Sequence, residues 1–194
     1  MRSVCVFCGS QSGADPAHAE TARLLGRELA ARGLALVYGG GRVGLMGEVA
    51  AACVRAGGRV VGVIPNALSA KEVAFADATE LIVVGSMHER KALMADRADA
   101  FVALPGGFGT CDELFEILTW AQLGIHAKPV AVLNAGGFFD PLLAWADHLE
   151  RHGFLKPKHR SLLLTADTVA GLLAALAAYR PPAPEVKWAT PGER

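Results

Sequence analysis

The order of apolar and amphipathic segments predicts an α/β protein whose parallel sheet is covered by helices on both faces. Seven short apolar runs recur along the 194 residues, and longer segments with apolar residues at spacings of three and four separate them. Several of the longer segments end at glycine, the residue that most often follows the last turn of a helix. Strands and helices that alternate in this way require crossover connections, which join parallel strands.

The seven predicted strands are apolar throughout, as expected of strands that are buried on both faces. They cover residues 4–7, 35–38, 60–64, 81–84, 100–104, 130–133 and 162–164. The clearest helical segments are AETARLLGRELAARG, GLMGEVAAACVRAGG and DPLLAWADHLERHG, the last of which begins with Asp-Pro and ends at Gly153. Residues 1–180 are therefore predicted to form a single domain, and the proline-rich residues 181–194 are predicted to form an extended tail.

The charge balance excludes several classes of partner. The chain carries 19 Lys and Arg against 19 Asp and Glu, so its formal net charge is zero. Neither a basic footprint for nucleic acid nor a polybasic patch for a membrane surface is expected. Hydrophobic residues make up 52% of the chain, which suits a buried subunit interface as well as a large core.

The four cysteines, at positions 5, 8, 53 and 111, fit neither a disulfide framework nor a four-ligand zinc pattern. Cys5 and Cys8 form a C-x-x-C pair, but they lie in the first apolar run and not at the start of a helix. We interpret them as buried apolar side chains. The first ten residues lack the charged and apolar regions of a signal peptide, and the histidines are scattered. We therefore expect a cytoplasmic protein with no metal site and no cofactor.

Glycine-rich loops follow the first two predicted strands, where ligands of a parallel sheet bind. In FCGSQSG, Gly9 and Ser10 are candidate hydrogen-bond donors to a ligand. In YGGGRVGLMG, Gly39, Gly41 and Gly44 satisfy the dinucleotide fingerprint G-x-G-x-x-G. The acidic residue that holds the ribose of a dinucleotide is missing after the next strand, which ends VIPNALS. This loop therefore favours a smaller nucleotide.

A third loop, ALPGGFGTCDE, follows the fifth predicted strand. Gly106, Gly107 and Gly109 permit close backbone approach, and a helix that starts near Thr110 would direct free N–H groups at an anion. Because the chain has no G-K-[ST] here, a single phosphate group is the expected occupant. Glu113 has two interpretations, since T-x-x-E is also a capping box in which the glutamate only stabilises the helix.

The segment GSMHERKALM repeats this pattern before another predicted helix. Ser86 and Glu89 form a second S-x-x-E box. Arg90 and Lys91 follow in the first turns, where cations oppose the helix dipole. Either a nearby carboxylate or a bound phosphate offsets them, or they form a solvated surface pair.

Taken together, FCGSQSG, YGGGRVGLMG, SMHERK and LPGGFGTCDELFEILTWAQLGIHAKP resemble the LOG ("Lonely Guy") family. Its members are cytokinin riboside 5′-monophosphate phosphoribohydrolases with the signature P-G-G-x-G-T-x-x-E. The resemblance covers about residues 2–180, and the motifs occur in the order of the family. It implies a Rossmann-like, doubly wound fold.

The resemblance also implies roles for particular residues. The catalytic arginine of M-x-x-R-K corresponds to Arg90, and the catalytic glutamate of the signature corresponds to Glu113. Phe108 stands where many members have tyrosine, and the sequence around Glu72 departs from the one that is usual in the family. The predicted substrate-binding residues are Gly9, Ser10, Gly41, Glu72, Met87, Lys91, Gly106, Gly107, Phe108, Gly109, Thr110, Cys111, Asp112 and Thr119.

The implied reaction cleaves the bond between the base and ribose C1′ of a nucleoside 5′-monophosphate and gives ribose 5-phosphate. Its transition state is expected to resemble an oxocarbenium ion, which a carboxylate near C1′ stabilises. We assign this role to Glu113. Arg90 either keeps Glu113 ionised or assists the ribose and the departing base, and the sequence leaves both roles open.

Two rival functions remain at this stage. The first is a general purine-monophosphate nucleosidase that acts on AMP rather than on N6-prenyl AMP. The second is a non-catalytic carrier of a nucleotide or cofactor on the same fold. Proteins with this signature have also been called lysine decarboxylases, but the sequence gives no sign of a lysine that would bind pyridoxal phosphate. Family members are commonly dimers with the active site near the subunit interface, so a homodimer is expected.

Overall fold

Seven parallel strands form one sheet in the order β4-β3-β2-β1-β5-β6-β7. The computed structural model describes residues 1–69 and 74–182. The strands are Ser3–Phe7 (β1), Ala35–Tyr38 (β2), Val60–Pro65 (β3), Glu80–Val84 (β4), Ala100–Ala103 (β5), Val130–Leu133 (β6) and Leu163–Ala166 (β7). All seven predicted strands are confirmed, with bounds that differ by at most two residues.

Helices connect the successive strands. They are Pro16–Ala31 (α1), Gly44–Arg55 (α2), Asn66–Ser69 (α3), Met87–Arg97 (α4), Phe108–Gln122 (α5), Asp140–Arg151 (α6), Pro157–Arg160 (α7) and Val169–Ala178 (α8), with a short 3-10 turn at Ala135–Gly137 before α6. Asp15 caps α1 through a 2.8 Å hydrogen bond from the Ala17 amide. Gly33, Gly57 and Gly153 follow α1, α2 and α6 with positive φ angles of 65°, 77° and 77°. Because such angles strain other residues, glycine ends these helices as the sequence predicts.

Alternate residues of each central strand enter two separate cores, one on each face of the sheet. Val4 and Val6 of β1 pack on the side of α1, α2 and α8, whereas Cys5 and Phe7 pack on the side of α4, α5 and α6. The sheet is therefore doubly wound, as predicted. Cys5 and Cys8 are buried free thiols, which confirms their interpretation as core side chains.

The order of the strands reverses between β1 and β5. From β1 the chain proceeds outward through β2, β3 and β4, and from β5 it proceeds the other way through β6 and β7. The loops after β1 and β5 consequently diverge to opposite faces and leave a crevice at the carboxyl end of the sheet, where open α/β sheets bind ligands.

Two of the predictions concern residues outside the described ranges. One is the substrate contact of Glu72, and the other is the extended tail, of which residues 183–194 are not described. In the part of the chain that the structure describes, no helix combines the length and apolarity needed to cross a bilayer.

A close contact between α1 and α2 leads to a prediction about stability. A Cβ atom at Gly26 of α1 would collide with the carbonyl oxygen of Val49 and come within 3.0 Å of the Cys53 amide nitrogen, both on the backbone of α2. Helix propensity alone favours Gly26→Ala by about 0.5–1 kcal/mol. Since backbone atoms cannot yield, we expect this substitution instead to lower the free energy of unfolding by about 1–3 kcal/mol. Urea unfolding followed by circular dichroism measures the change, and an increase in stability would contradict the proposed contact.

Candidate active site

A cleft of about 410 Å³ opens at the carboxyl ends of β1, β2 and β5, beside the point where the strand order reverses. Loops after these three strands form its floor, and the first turns of α4 and α5 form one wall. The lining residues are Val6, Cys8, Gly9, Ser10, Gly39, Met46, Leu68, Met87, Arg90, Gly107, Phe108, Gly109, Thr110, Asp112 and Glu113.

Backbone hydrogen bonds hold the three loops together at the floor of the cleft. The Gly9 amide donates to the Pro105 carbonyl oxygen at 3.0 Å, and the Gly9 carbonyl oxygen accepts from the Leu45 amide at 3.0 Å. Gly44 has a φ of +58°, and a Cβ atom there would collide with the backbone of Ser10. The glycines at 9 and 44 therefore allow direct contact between loops that a side chain would separate.

Helix α5 begins at Phe108, two residues earlier than predicted. Its N-cap is Gly107, and no side chain caps it. The predicted capping box of Thr110 and Glu113 is wrong, because Thr110 is already the third helical residue and Glu113 bonds elsewhere. The glycines on either side of Phe108 let the helix start without a capping side chain. Its first N–H groups and the positive end of its dipole are left facing the cleft.

Glu113 forms a buried ion pair with Arg90. Arg90 Nη1 donates to Glu113 Oε1 at 2.9 Å, and Arg90 Nε donates to the Val63 carbonyl oxygen at 3.1 Å. Each residue is only 8% exposed. The alternative that Arg90 belongs to a solvated surface pair is therefore wrong, and a carboxylate offsets its charge.

The first turn of α4 places Arg90. The Ser86 hydroxyl accepts from the Glu89 amide at 3.1 Å, and Glu89 Oε2 accepts from the Gly85 amide at 2.8 Å. The predicted capping role of Ser86 and Glu89 is thus confirmed. Arg90 follows directly and points inward across the end of β2, where a Cβ atom at Gly39 would occupy the position of its guanidinium. The absent side chain at Gly39 makes the room that Arg90 needs.

Burial also governs the protonation of the site. It raises the pKa of the Glu113 carboxyl above its ordinary value, and the Arg90 guanidinium opposes this shift. Burial raises the pKa of the Cys8 thiol, and the neighbouring Glu113 carboxylate raises it further. Cys8 therefore lines the cleft as a neutral thiol, and Glu113 is the group whose charge is balanced between two opposing effects.

Several residues predicted to bind substrate do not line this cleft. Lys91 bridges α4 to α5, since its Nζ lies 3.0 Å from Asp112 Oδ2 and 3.2 Å from Glu116 Oε1. The Thr119 hydroxyl donates to the Phe115 carbonyl oxygen at 2.7 Å and lines a separate cavity of about 240 Å³. The other three are Gly41, which forms a β-bridge with Ala74, Gly106, whose Cα faces Thr110, and Cys111 of α5.

The structure brings together eight of the predicted substrate-binding residues with both predicted catalytic residues. These eight are Gly9, Ser10, Met87, Gly107, Phe108, Gly109, Thr110 and Asp112. The residues of the cleft that were not predicted include Gly39, which leaves room for the Arg90 guanidinium, and the apolar Met46 and Leu68. Gly39 carried a signal, because it stands at the end of a predicted strand. Leu68 carried none, since a contact from α3 depends on tertiary structure.

Comparisons with known proteins identify the relatives of this chain. A family model described as "Possible lysine decarboxylase" matches residues 46–176. A probable cytokinin riboside 5′-monophosphate phosphoribohydrolase of Oryza sativa subsp. japonica is 54% identical over 93% of this chain and 80% of its own length. A cytokinin riboside 5′-monophosphate phosphoribohydrolase of Arabidopsis thaliana is 48% identical over 93% of this chain and 79% of its own length.

Solved structures share the fold at lower identity. The molybdenum cofactor carrier protein of Chlamydomonas reinhardtii superposes with a TM-score of 0.70 at 24% identity, over 90% of this chain and 94% of the other. The molybdenum cofactor binding protein of Rippkaea orientalis gives a TM-score of 0.70 at 20% identity, over 92% and 97%. These similarities support the architecture alone. The identity of about half of all residues over nearly the full chain shows that the protein belongs to the LOG family of cytokinin riboside 5′-monophosphate phosphoribohydrolases.

Proposed function

We propose that this protein hydrolyses the N-glycosidic bond of a nucleoside 5′-monophosphate, with N6-prenyl AMP as the preferred substrate, and releases the free base and ribose 5-phosphate. The observation that carries the proposal is the buried pair of Arg90 and Glu113 beside the uncapped start of α5. The start of α5 suits a phosphate, and the Glu113 carboxylate of the pair suits the positive charge that develops on a ribose in glycoside hydrolysis.

The phosphate is proposed to lie at the start of α5. The amides of Phe108, Gly109 and Thr110 are the first of the helix, and first-turn amides have no partner within a helix. The helix dipole adds about half a positive charge at this end. Gly107 and Gly109 have no heavy atom within 4 Å of an added Cβ position, so the space above the backbone is open to a ligand. A single phosphate group can bind here without a lysine.

The ribose is proposed to lie against Glu113. This residue stands three positions beyond Thr110, about one helical turn from the phosphate. As the bond between C1′ and the base nitrogen breaks, its electron pair leaves with the base and positive charge develops on the ring. The Glu113 carboxylate stabilises that charge and accepts a proton from the water that attacks C1′, and this proton then passes to the base nitrogen, so that the base is released neutral. The raised pKa of Glu113 makes it a better proton acceptor at neutral pH than an exposed glutamate.

Arg90 is proposed to act both on Glu113 and on the substrate. Its hydrogen bond to Glu113 favours the ionised carboxylate, which burial alone would disfavour. Arg90 is also among the residues that line the cleft. From that position the guanidinium is available to the ribose hydroxyls or to the departing base.

The base is proposed to bind at the apolar part of the rim, where Met46, Leu68, Met87 and Phe108 lie. Flat purine rings and a prenyl chain both bind to such surfaces through burial of apolar area. Phe108 is 96% exposed in one chain and is therefore available for such a contact. The remaining predicted contacts, Lys91, Thr119, Gly41, Gly106, Cys111 and Glu72, stay predictions.

We also propose that the protein is a cytoplasmic homodimer. An apolar groove between α5 and α6 is lined in part by Phe115, Trp145, Leu149 and Phe154, and Phe154 is 84% exposed. Burying such a surface against a second copy would stabilise both chains. The four free cysteines, none of which is paired in the described part of the chain, are consistent with a reducing compartment.

Glu113→Gln is expected to lower the rate of base release by about 10²–10⁴-fold, because the amide neither stabilises the positive ring nor accepts a proton. Its carbonyl still accepts the hydrogen bond from Arg90, so the variant should fold at 20 °C with a lower thermal midpoint. Base release from N6-isopentenyl AMP, measured by chromatography, gives the rate per folded chain. The control is Glu28→Gln, a half-buried residue of α1 that pairs with Arg32 outside the cleft, and its loss should leave the rate unchanged. A folded Glu113→Gln variant with the wild-type rate would contradict the catalytic role.

The preference for a prenylated base is expected to appear as a kcat/KM at least about 10-fold higher for N6-isopentenyl AMP than for AMP, since each buried methylene contributes about 0.8 kcal/mol. Leu68→Ser should reduce this ratio while leaving the reaction of AMP nearly unchanged. Equal kcat/KM values for both nucleotides would make the protein a general AMP nucleosidase. Binding of both without base release would make it a non-catalytic nucleotide carrier.

The dimer predicts a mass by light scattering of about twice the 20.3 kDa of one chain. Trp145→Lys, which places a charge in the groove between α5 and α6, should shift the mass toward that of one chain. Val83→Lys changes an exposed apolar residue of β4 and serves as the control. A wild-type mass of one chain at all concentrations would refute the dimer, and an unchanged mass for Trp145→Lys would place the interface elsewhere.

A further inference from the structure

Two histidines lie side by side near the end of α6, far from the motifs of the cleft. His148 is in the last turn, and His152 is the C-cap residue. The His152 amide still donates to the His148 carbonyl oxygen at 3.1 Å, so the helical spacing of four residues is kept between them. The prediction of no metal site assumed that the histidines are scattered along the chain, whereas His148 and His152 lie four residues apart.

The two imidazole rings are close enough to bind one ion. Their centroids are 4.2 Å apart, with an angle of 42° between the ring planes, and both residues are exposed. A metal–imidazole bond is about 2.0–2.1 Å long, so two nitrogens on one ion are about 3 Å apart. Histidines at positions i and i+4 of a helix are a known arrangement for this purpose. Both side chains are exposed, so rotation about their side-chain bonds would turn the nitrogens toward one ion.

We propose that His148 and His152 form a surface site for a divalent transition metal ion, with two imidazole nitrogens as protein ligands and water in the remaining positions. No group of three or more His, Cys, Asp and Glu that could hold an ion occurs among the described residues, so water must complete the coordination. Imidazole ligands suit Cu²⁺, Ni²⁺ and Zn²⁺, with Cu²⁺ the tightest of the series. Mg²⁺ and Ca²⁺ prefer oxygen ligands and should not bind.

The position of the pair on α6 favours a cation. The carboxyl end of a helix carries about half a negative charge, which attracts positive ions within the last turn. Arg151 already stands there and repels a second cation, whereas Glu150 contributes an opposite charge on the same turn. The ion would join two residues of the last turn and its cap, and it should therefore stabilise the end of α6.

The site is separate from the cleft. Strand β6 runs toward the cleft, and α6 returns in the opposite direction before β7, so its carboxyl end lies near the amino ends of the strands. Neither histidine lines the cleft. Metal binding at this pair does not depend on the proposed hydrolase activity, and failure of one proposal leaves the other intact.

The test is a titration of the full chain, without a histidine tag, with Ni²⁺ at pH 7.5 by isothermal calorimetry. We expect one ion per chain, a thermal midpoint that rises with the Ni²⁺ concentration, and no heat from Mg²⁺. Either His148→Asn or His152→Asn should weaken the affinity at least 10-fold. The control is His88→Asn, which removes an exposed histidine of α4 that has no histidine four residues away.

Three results would overturn the proposal. The first is the absence of saturable Ni²⁺ binding by the wild-type chain. The second is an affinity that both His148→Asn and His152→Asn leave unchanged, or that His88→Asn lowers as much as they do. The third is one ion per two chains, which would replace the water ligands with residues of a second copy.

Discussion

The ion pair between Arg90 and Glu113 is the interaction on which the architecture of the cleft depends. Removing two charges from water costs several kcal/mol per ion, and a buried pair seldom recovers the whole cost. The pair is compensated by a 2.9 Å hydrogen bond between its members and by the Val63 carbonyl oxygen. Apolar residues of the same size would give at least comparable stability. A pair of this kind at the open end of a parallel sheet therefore indicates a chemical role more than a structural one.

Glycines around the cleft leave space for the ion pair of Arg90 and Glu113. Gly39 leaves room for the guanidinium, and Gly44 lets the loop after β2 lie against Ser10. Gly107 starts α5 without a capping side chain, so that the positive end of the helix faces the cleft. The loops after β1, β2 and β5 meet at one end of the sheet because β5 lies beside β1, at the point where the strand order reverses. The same topology thus brings together the proposed site for an anion and the proposed site for a developing cation.

The fold could be predicted from the sequence because burial on both faces leaves a strong local signal. Continuous apolar runs such as residues 35–38 and 130–133 gave strand bounds identical to those observed. The start of α5 could not be predicted, because Thr110 and Glu113 match a capping box that competes with a start at Phe108. In the observed structure Glu113 bonds to Arg90 instead of capping the helix, and Arg90 lies 23 residues earlier and reaches Glu113 only in the folded chain. The resemblance of the motifs pointed to both Arg90 and Glu113. Their contact, and the space that Gly39 leaves for Arg90, arise only from tertiary structure.

The bridge from Lys91 to Asp112 and Glu116 has a consequence for the energy of catalysis. It joins α4 to α5 directly beside Arg90 and Glu113, so the two helices that carry these residues are fixed to each other before any ligand binds. An enzyme whose charges are already oriented spends little of the substrate's binding energy on reorganising its own dipoles at the moment of reaction. Lys91 is thereby part of a frame that holds the helices of Arg90 and Glu113 in a fixed relation.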